Sequence, residues 1–217
     1  MEILYSDRQI AVCVKPVGVS SEDGAESLPE LLRKTLGGEI FPIHRLDLNV
    51  GGLMVYARTK AAAAALSRTV QEQRMVKEYL AVVSGAPQPR EGILEDLLWK
   101  DSGRNKVFVV RSTRKGVKPA KLAYRVLLTG QRSLVQIRLF TGRSHQIRVQ
   151  FSSRGWPLVG DHKYGSREPE TVPALWSYRL SFPHPARGEE MIWQKLPEGG
   201  VWAPFAQAMP MEKQEES

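Results

Sequence analysis

The sequence predicts an α+β fold: a mostly antiparallel mixed sheet flanked by helices. Three observations carry this. Short runs rich in β-branched and aromatic residues recur along all 217 residues and outnumber the helical stretches. Beyond Gly85 the pattern is mainly β. No internal repeat or low-complexity linker divides the chain, so its 42% hydrophobic content serves one core, or at most two small ones.

Taken in order, Ile3-Leu4-Tyr5 and Ile10 to Val14 read as strand, turn and strand, closed by Lys15-Pro16-Val17-Gly18. Ser27 can cap a helix through Leu36, which Gly37-Gly38 would stop. His44 to Asp47 falls on a connection, and Leu53 to Ala57 reads as a buried strand. Gly51-Gly52 before it permits a close backbone approach. Thr59 is a good cap for the clearest helix, an alanine-rich stretch from Lys60 to about Arg74. Lys77 to Ser84 alternates as a strand with Tyr79, Ala81 and Val83 on one face. Pro87 to Gly92 reads as a loop and Lys106 to Arg111 as a strand. Leu122 to Leu128 and Leu134 to Phe140 follow, joined by a hairpin turn at Thr129-Gly130-Gln131-Arg132. Ser144 can cap a helix to about Ser153, although Ile147, Val149 and Phe151 also alternate as a strand would. Leu175 to Ser181 is a last strand. Residues 1–208 are expected to form one domain, and 209–217 a polar, frayed tail.

Charge separates function classes. The chain carries a net charge of +8, but unevenly: Ser102 to Arg167 holds 15 basic residues and one acid, Asp161. The remainder is left with 16 basic and 22 acidic residues. A long block of one sign is the footprint of a polyphosphate-binding face, and RNA is the expected partner. Cys13, the one cysteine, excludes a disulfide framework and a thiolate zinc site. The N-terminus lacks a signal-peptide pattern, and no apolar run is long enough to cross a membrane. The expectation is a cytoplasmic protein with no membrane attachment, and a monomer, since no interface stripe stands out. Neither a phosphate-cradling glycine loop nor a dinucleotide fingerprint is present, so nothing asks for a nucleotide cofactor.

Two distant segments concentrate the chemistry: His44-Arg45-Leu46-Asp47 and Thr141 to Arg148. Asp47 follows a basic pair; if the fold brings Arg148 near, the carboxylate stays ionised and can attack an electrophilic carbon. A turn cap, or a simple pair with Arg45, is the plainer alternative. Among His44, His145, His162 and His184, two could form the acid–base pair of a ribonuclease, and His162 with Asp161 could ligate a metal; neither has a sharp spacing. Tyr79 can stack on a base or sit in the core. Arg143 and Arg148 can meet phosphates, aided by free N–H groups if a helix starts at Ser144.

These segments resemble motifs of the RluA-type pseudouridine synthases. His44-Arg45-Leu46-Asp47 is similar to the family's HRLD signature, Lys77 to Gly85 to its second motif, and Thr141 to Arg148 to its third. Lys15 to Gly18, Gly160 to Gly165 and Leu180 to Pro185 resemble further landmarks, so the likeness runs in order over residues 3 to 205. It departs at Val50-Gly51-Gly52, where the family usually shows Thr-Ser-Gly, and at Gln150, where a histidine is common. The resemblance implies the pseudouridine synthase catalytic fold without a separate N-terminal S4-like RNA-binding domain. It also implies isomerisation of uridine in ribosomal or transfer RNA, with no metal or cofactor. It assigns Asp47 as the catalytic aspartate, attacking sugar or base; Tyr79 as the residue packed on the target base and a possible proton acceptor; and Arg148 as the partner of Asp47. His44, Arg45, Arg143 and His145 would bind RNA, with Arg45 filling the gap left by a flipped nucleotide. The alternative on the same fold is an RNA-binding protein without chemistry.

Overall fold

A computed structural model describes residues 1–210 and contains an 11-stranded sheet. The chain runs through β1 (Glu2–Ser6), β2 (Ile10–Lys15), α1 (Leu28–Leu36), β3 (Phe41–Pro42), β4 (Gly51–Ala57), α2 (Lys60–Gln71) and β5 (Val76–Ser84). It continues through β6 (Glu91–Asp101), β7 (Lys106–Val110), β8 (Val117–Leu128), β9 (Arg132–Leu139), α3 (Gln146–Ser152), β10 (Leu175–Pro183) and β11 (Glu190–Gln194). Tight helical turns occupy His162–Tyr164 and Gly200–Ala208. The sheet order is β1-β2-β4-β10-β5-β9-β8-β6-β7, with β3 added to β4 and β11 to β10. All pairings are antiparallel except β4 with β10, so the sheet is mixed as the sequence predicts.

Alternation along the strands sends successive residues to opposite faces. On one face Tyr79, Ala81 and Val83 of β5 join Leu28 and Leu32 of α1 and Ile147 and Phe151 of α3 in one core. The opposite face is covered in two places. Ala62 and Leu66 of α2 pack on Val12, Leu53 and Val55. Trp202, Phe205 and Met209 cover Leu80, Val82 and Tyr178. Burial of both faces explains why β2 and β4 read as unbroken apolar runs.

The predicted helix caps at Ser27 and Thr59 are present: each side-chain oxygen accepts a backbone N–H, from Glu30 at 3.3 Å and from Ala62 at 3.1 Å. Four expectations need correction. The helix α2 stops at Gln71 rather than Arg74, because Gln73 turns left-handed (φ +57°) and its N–H and that of Arg74 close back onto Val70 and Thr69. Ser144 does not cap α3; His145 holds the position before the helix in a left-handed conformation (φ +50°) with no side-chain cap. The expected loop at Pro87 to Gly92 runs into a long strand, β6, which begins at Glu91. Met209, expected to start a polar tail, is buried at 5% exposure in the core beside Trp202. The rest of that tail, 211–217, lies outside the described residues.

The two glycines flanking the Asp47 connection have a packing reason. A Cβ on Gly51 would fall 2.3 Å from the Trp176 ring, and one on Gly52 (φ +117°) 2.3 Å from the Ser177 carbonyl oxygen. These contacts lie where β10 pairs with β4, at Trp176↔Gly51 and Ser177↔Gly52. The tryptophan ring thus fills the space that a side chain at position 51 would need.

Candidate active site

The connection between β3 and β4 carries Asp47, and buried groups fix it from below. Ser21 Oγ donates to the Leu46 carbonyl at 2.8 Å and accepts the Leu46 N–H at 3.2 Å. Lys15, fully buried at the end of β2, donates to the carbonyls of Pro16, Val19 and Leu48 at 3.0, 2.7 and 3.0 Å. Burial lowers its pKa to about 8 against the opposing pull of Asp47, so the ammonium persists at neutral pH. The Lys-Pro-Val-Gly turn is therefore an anchor for the Asp47 loop, a role that sequence spacing did not reveal.

Arg148, on α3, reaches that loop across 101 residues of chain. Its Nη1 donates to Asp47 Oδ2 at 2.9 Å, while Nε and Nη2 form a two-pronged contact with Asp161 Oδ2 and Oδ1 at 2.7 and 2.9 Å. Burial opposes the charge on this guanidinium, but the two aspartates outweigh it and raise its pKa. The Tyr164 ring lies under it, 5.0 Å from the guanidinium carbon. The carboxylate of Asp161 is 1% exposed and both its oxygens are engaged by Arg148, so it is not available to a metal in the way its neighbour His162 suggested. Asp161 and Tyr164 are the site residues that sequence reasoning missed. Their signal was present in the Gly160 to Gly165 landmark, but with no role attached.

His145 Nε2 lies 3.8 Å from Asp47 Oδ2, and its Nδ1 is 2.8 Å from Tyr164 Oη. That hydroxyl already accepts the Val107 N–H at 2.8 Å, so its own hydrogen is free for Nδ1 and the imidazole proton is assigned to Nε2, facing Asp47. Burial lowers the His145 pKa more than Asp47 raises it. His44 is neutral as well: burial, with Lys77 beside it, drops its pKa to about 3. Its Nε2 accepts the Val55 N–H at 3.2 Å, which pins the loop to β4. Neither histidine therefore brings a positive charge to the site at neutral pH. A neutral His44 also fails as the acid of a ribonuclease pair.

The histidine leaves a signature in stability. An unfolded chain protonates His44 below its ordinary pKa of 6.5, whereas the folded protein resists protonation down to about 3. Its contribution is complete above pH 6.5 and declines as pH falls toward 3. Urea unfolding midpoints from neutral pH down to about pH 4.5 are expected to fall less steeply for His44→Gln than for the parent protein. Parallel curves would remove His44 as a source of acid sensitivity.

Around Asp47 opens a cavity of about 580 Å³, lined by His44, Arg45, Lys77, Tyr79, Arg143 and Arg148 among others. This is within the range of about 300–1,000 Å³ usual for small-ligand sites. Tyr79 is buried on β5; burial, reinforced by the charge of Asp47, raises its phenol pKa and holds it protonated. Arg45 stands at the exposed rim against Glu22 at 2.9 Å. Arg143, half-buried, donates through Nε to the Pro119 carbonyl at 2.9 Å. Gln146 orders its loop by accepting from Thr141 Oγ1 and the Arg143 N–H, at 2.8 and 3.0 Å. The fold thus gathers all seven predicted residues around one cavity: a carboxylate held by a guanidinium, a phenol in the wall, and cations at the mouth.

Comparison with known proteins places the chain in a family. Residues 9–153 match the RNA pseudouridylate synthase family. The dual-specificity RNA pseudouridine synthase RluA of Escherichia coli K12 is 33% identical over 205 residues, covering 88% of this chain and 91% of that protein. An uncharacterized RNA pseudouridine synthase of Aquifex aeolicus is also 33% identical, over 89% of this chain and 68% of its own length. Among solved structures, human RNA pseudouridylate synthase domain containing 1 superposes with a TM-score of 0.77 at 27% identity, covering 90% of this chain and 83% of that one. Human RNA pseudouridylate synthase domain containing 4 gives 0.75 at 25% identity, over 90% and 88%. The fold is that of an isomerase acting on RNA. The chain belongs to the RNA pseudouridylate synthase family, in its RluA-type branch.

Proposed function

We propose that the protein isomerises particular uridines in ribosomal or transfer RNA with Asp47 as its nucleophile, working as a monomeric catalytic domain in the cytoplasm. The observation that carries this is the 2.9 Å pair between Asp47 and Arg148 in a cavity walled by Tyr79. The uridine leaves its stack, at a cost of a few kcal/mol, and Arg45 at the rim fills the gap. Tyr79 packs against the uracil. To take up the C5 proton it would first have to part with its own, which burial resists.

Arg148 holds Asp47 in the orientation for attack, and Asp161 holds Arg148. Whether Asp47 engages sugar or base, the N1–C1′ bond breaks, the uracil turns, and a C5–C1′ bond forms. C5 loses its hydrogen to solvent, N1 gains one, and Asp47 is released, so the product is an isomer and no redox partner enters.

That balance supplies the test. RNA carrying tritium at uridine C5, prepared as separate ribosomal and transfer RNA pools, should release label to water while the chains stay uncut. Tight binding without release from either pool would favour an RNA-binding protein. Shortened RNA would favour a nuclease.

A further inference from the structure

The charges lining the cavity do not cancel. Its two carboxylates are both engaged, Asp47 by Arg148 and Glu22 by Arg45. The remaining cations, Lys77 and Arg143, have no acidic partner among the described residues. Arg143 at least donates to a carbonyl. Lys77 Nζ, half-buried, makes no hydrogen bond to any described residue.

Lys77 stands on β5 two residues before Tyr79, so the two side chains share a face. Its ammonium reaches across to the Thr141–Arg143 loop: a Cβ built on Gly142 would lie 3.4 Å from Nζ. A partly desolvated ammonium with no counterion calls for an anion. In an RNA substrate, that anion is a backbone phosphate.

We propose that Lys77 Nζ binds a backbone phosphate next to the target uridine, and so seats the extruded nucleotide with its glycosidic bond at Asp47. The inference rests on the isomerase reading above. Lys77 acts as a positioning residue rather than a catalytic one.

The test pairs an enzyme variant with a substrate variant. Short RNA substrates carry an uncharged methylphosphonate at the phosphate on the 5′ or the 3′ side of the target uridine. With the parent enzyme, one of the two replacements is expected to lower kcat/KM by about 10–100-fold, the scale of a hydrogen bond to a charged group. Lys77→Met should lose a similar factor on ordinary RNA, mainly through KM, and lose no more than about a further twofold on that methylphosphonate. Lys77→Arg should recover part of the loss.

Independent, multiplying losses at both phosphates would overturn this contact and point to a uracil carbonyl as the partner of Lys77. Indifference of the parent enzyme to both replacements would overturn it as well. A urea midpoint for Lys77→Met near that of the parent separates lost positioning from lost folding. If the parent enzyme releases no tritium from any RNA, the isomerase reading fails first, whatever Lys77 does.

Discussion

Asp47→Asn is expected to stop tritium release from C5-labelled uridine almost completely while the protein still folds and holds RNA. Asparagine keeps the size of the side chain, and its carbonyl can still accept from Arg148 Nη1, which now stands 2.9 Å from Asp47. Arg148 stays bound to Asp161 in either case, so the buried ion pair beneath the site survives. What disappears is the negative charge that the proposed nucleophile needs. Removing the nucleophile from an enzyme with a covalent intermediate costs on the order of 10⁴-fold or more in turnover. Filter binding and urea unfolding should change little. A variant that releases label at the parent rate would remove Asp47 from the chemistry.

Asp161→Ala should do the reverse, damaging the fold and the activity together. Asp161 is 1% exposed and Arg148 is 8% exposed, and the aspartate supplies two of the three hydrogen bonds to the guanidinium. Without it a buried cation keeps a single carboxylate. Breaking a buried pair from one side costs about 3–5 kcal/mol, which urea denaturation would read as a lowered midpoint at unchanged slope. Tritium release should fall as well, because the free guanidinium no longer fixes Asp47. A loss of stability below about 1 kcal/mol would mean that water replaces Asp161 and that the pair is a surface contact in energetic terms.

Elements with a strong local signature were legible in the sequence. Ser27 and Thr59 announce their helices because a cap is a contact three residues long. β6 was invisible because its buried residues, Leu94 and Leu98, are separated by exposed or half-exposed positions that mask a period of two. It is a strand because β7 and β8 pair along both its edges, and no single-strand pattern contains its neighbours. β8 extends back to Val117 through Lys118 and Pro119, poor strand formers held by β6. The left-handed turn at His145 replaces the expected Ser144 cap for a tertiary reason: the ring is tied to Tyr164, and Gln146 folds back on Thr141.

In the site, composition revealed the basic block, and the motif resemblance supplied Asp47, Tyr79 and Arg148. The neutrality of both histidines could not be read from their neighbours in the chain. It depends on burial created by distant strands.

The sheet order also governs when the site comes into being. β4, which follows the Asp47 loop, and β5, which carries Tyr79, are successive strands, yet β10 lies between them. A growing chain has Asp47, Tyr79 and Arg148 in hand long before Leu175–Pro183 is made. Until that late strand slides into the gap, no strand pairing joins β4 to β5 and sets their spacing. Pairings this far apart in sequence are slow to form. A chain that stops short of this strand therefore carries Asp47, Tyr79 and Arg148 without the β4–β10–β5 pairing that spaces their strands.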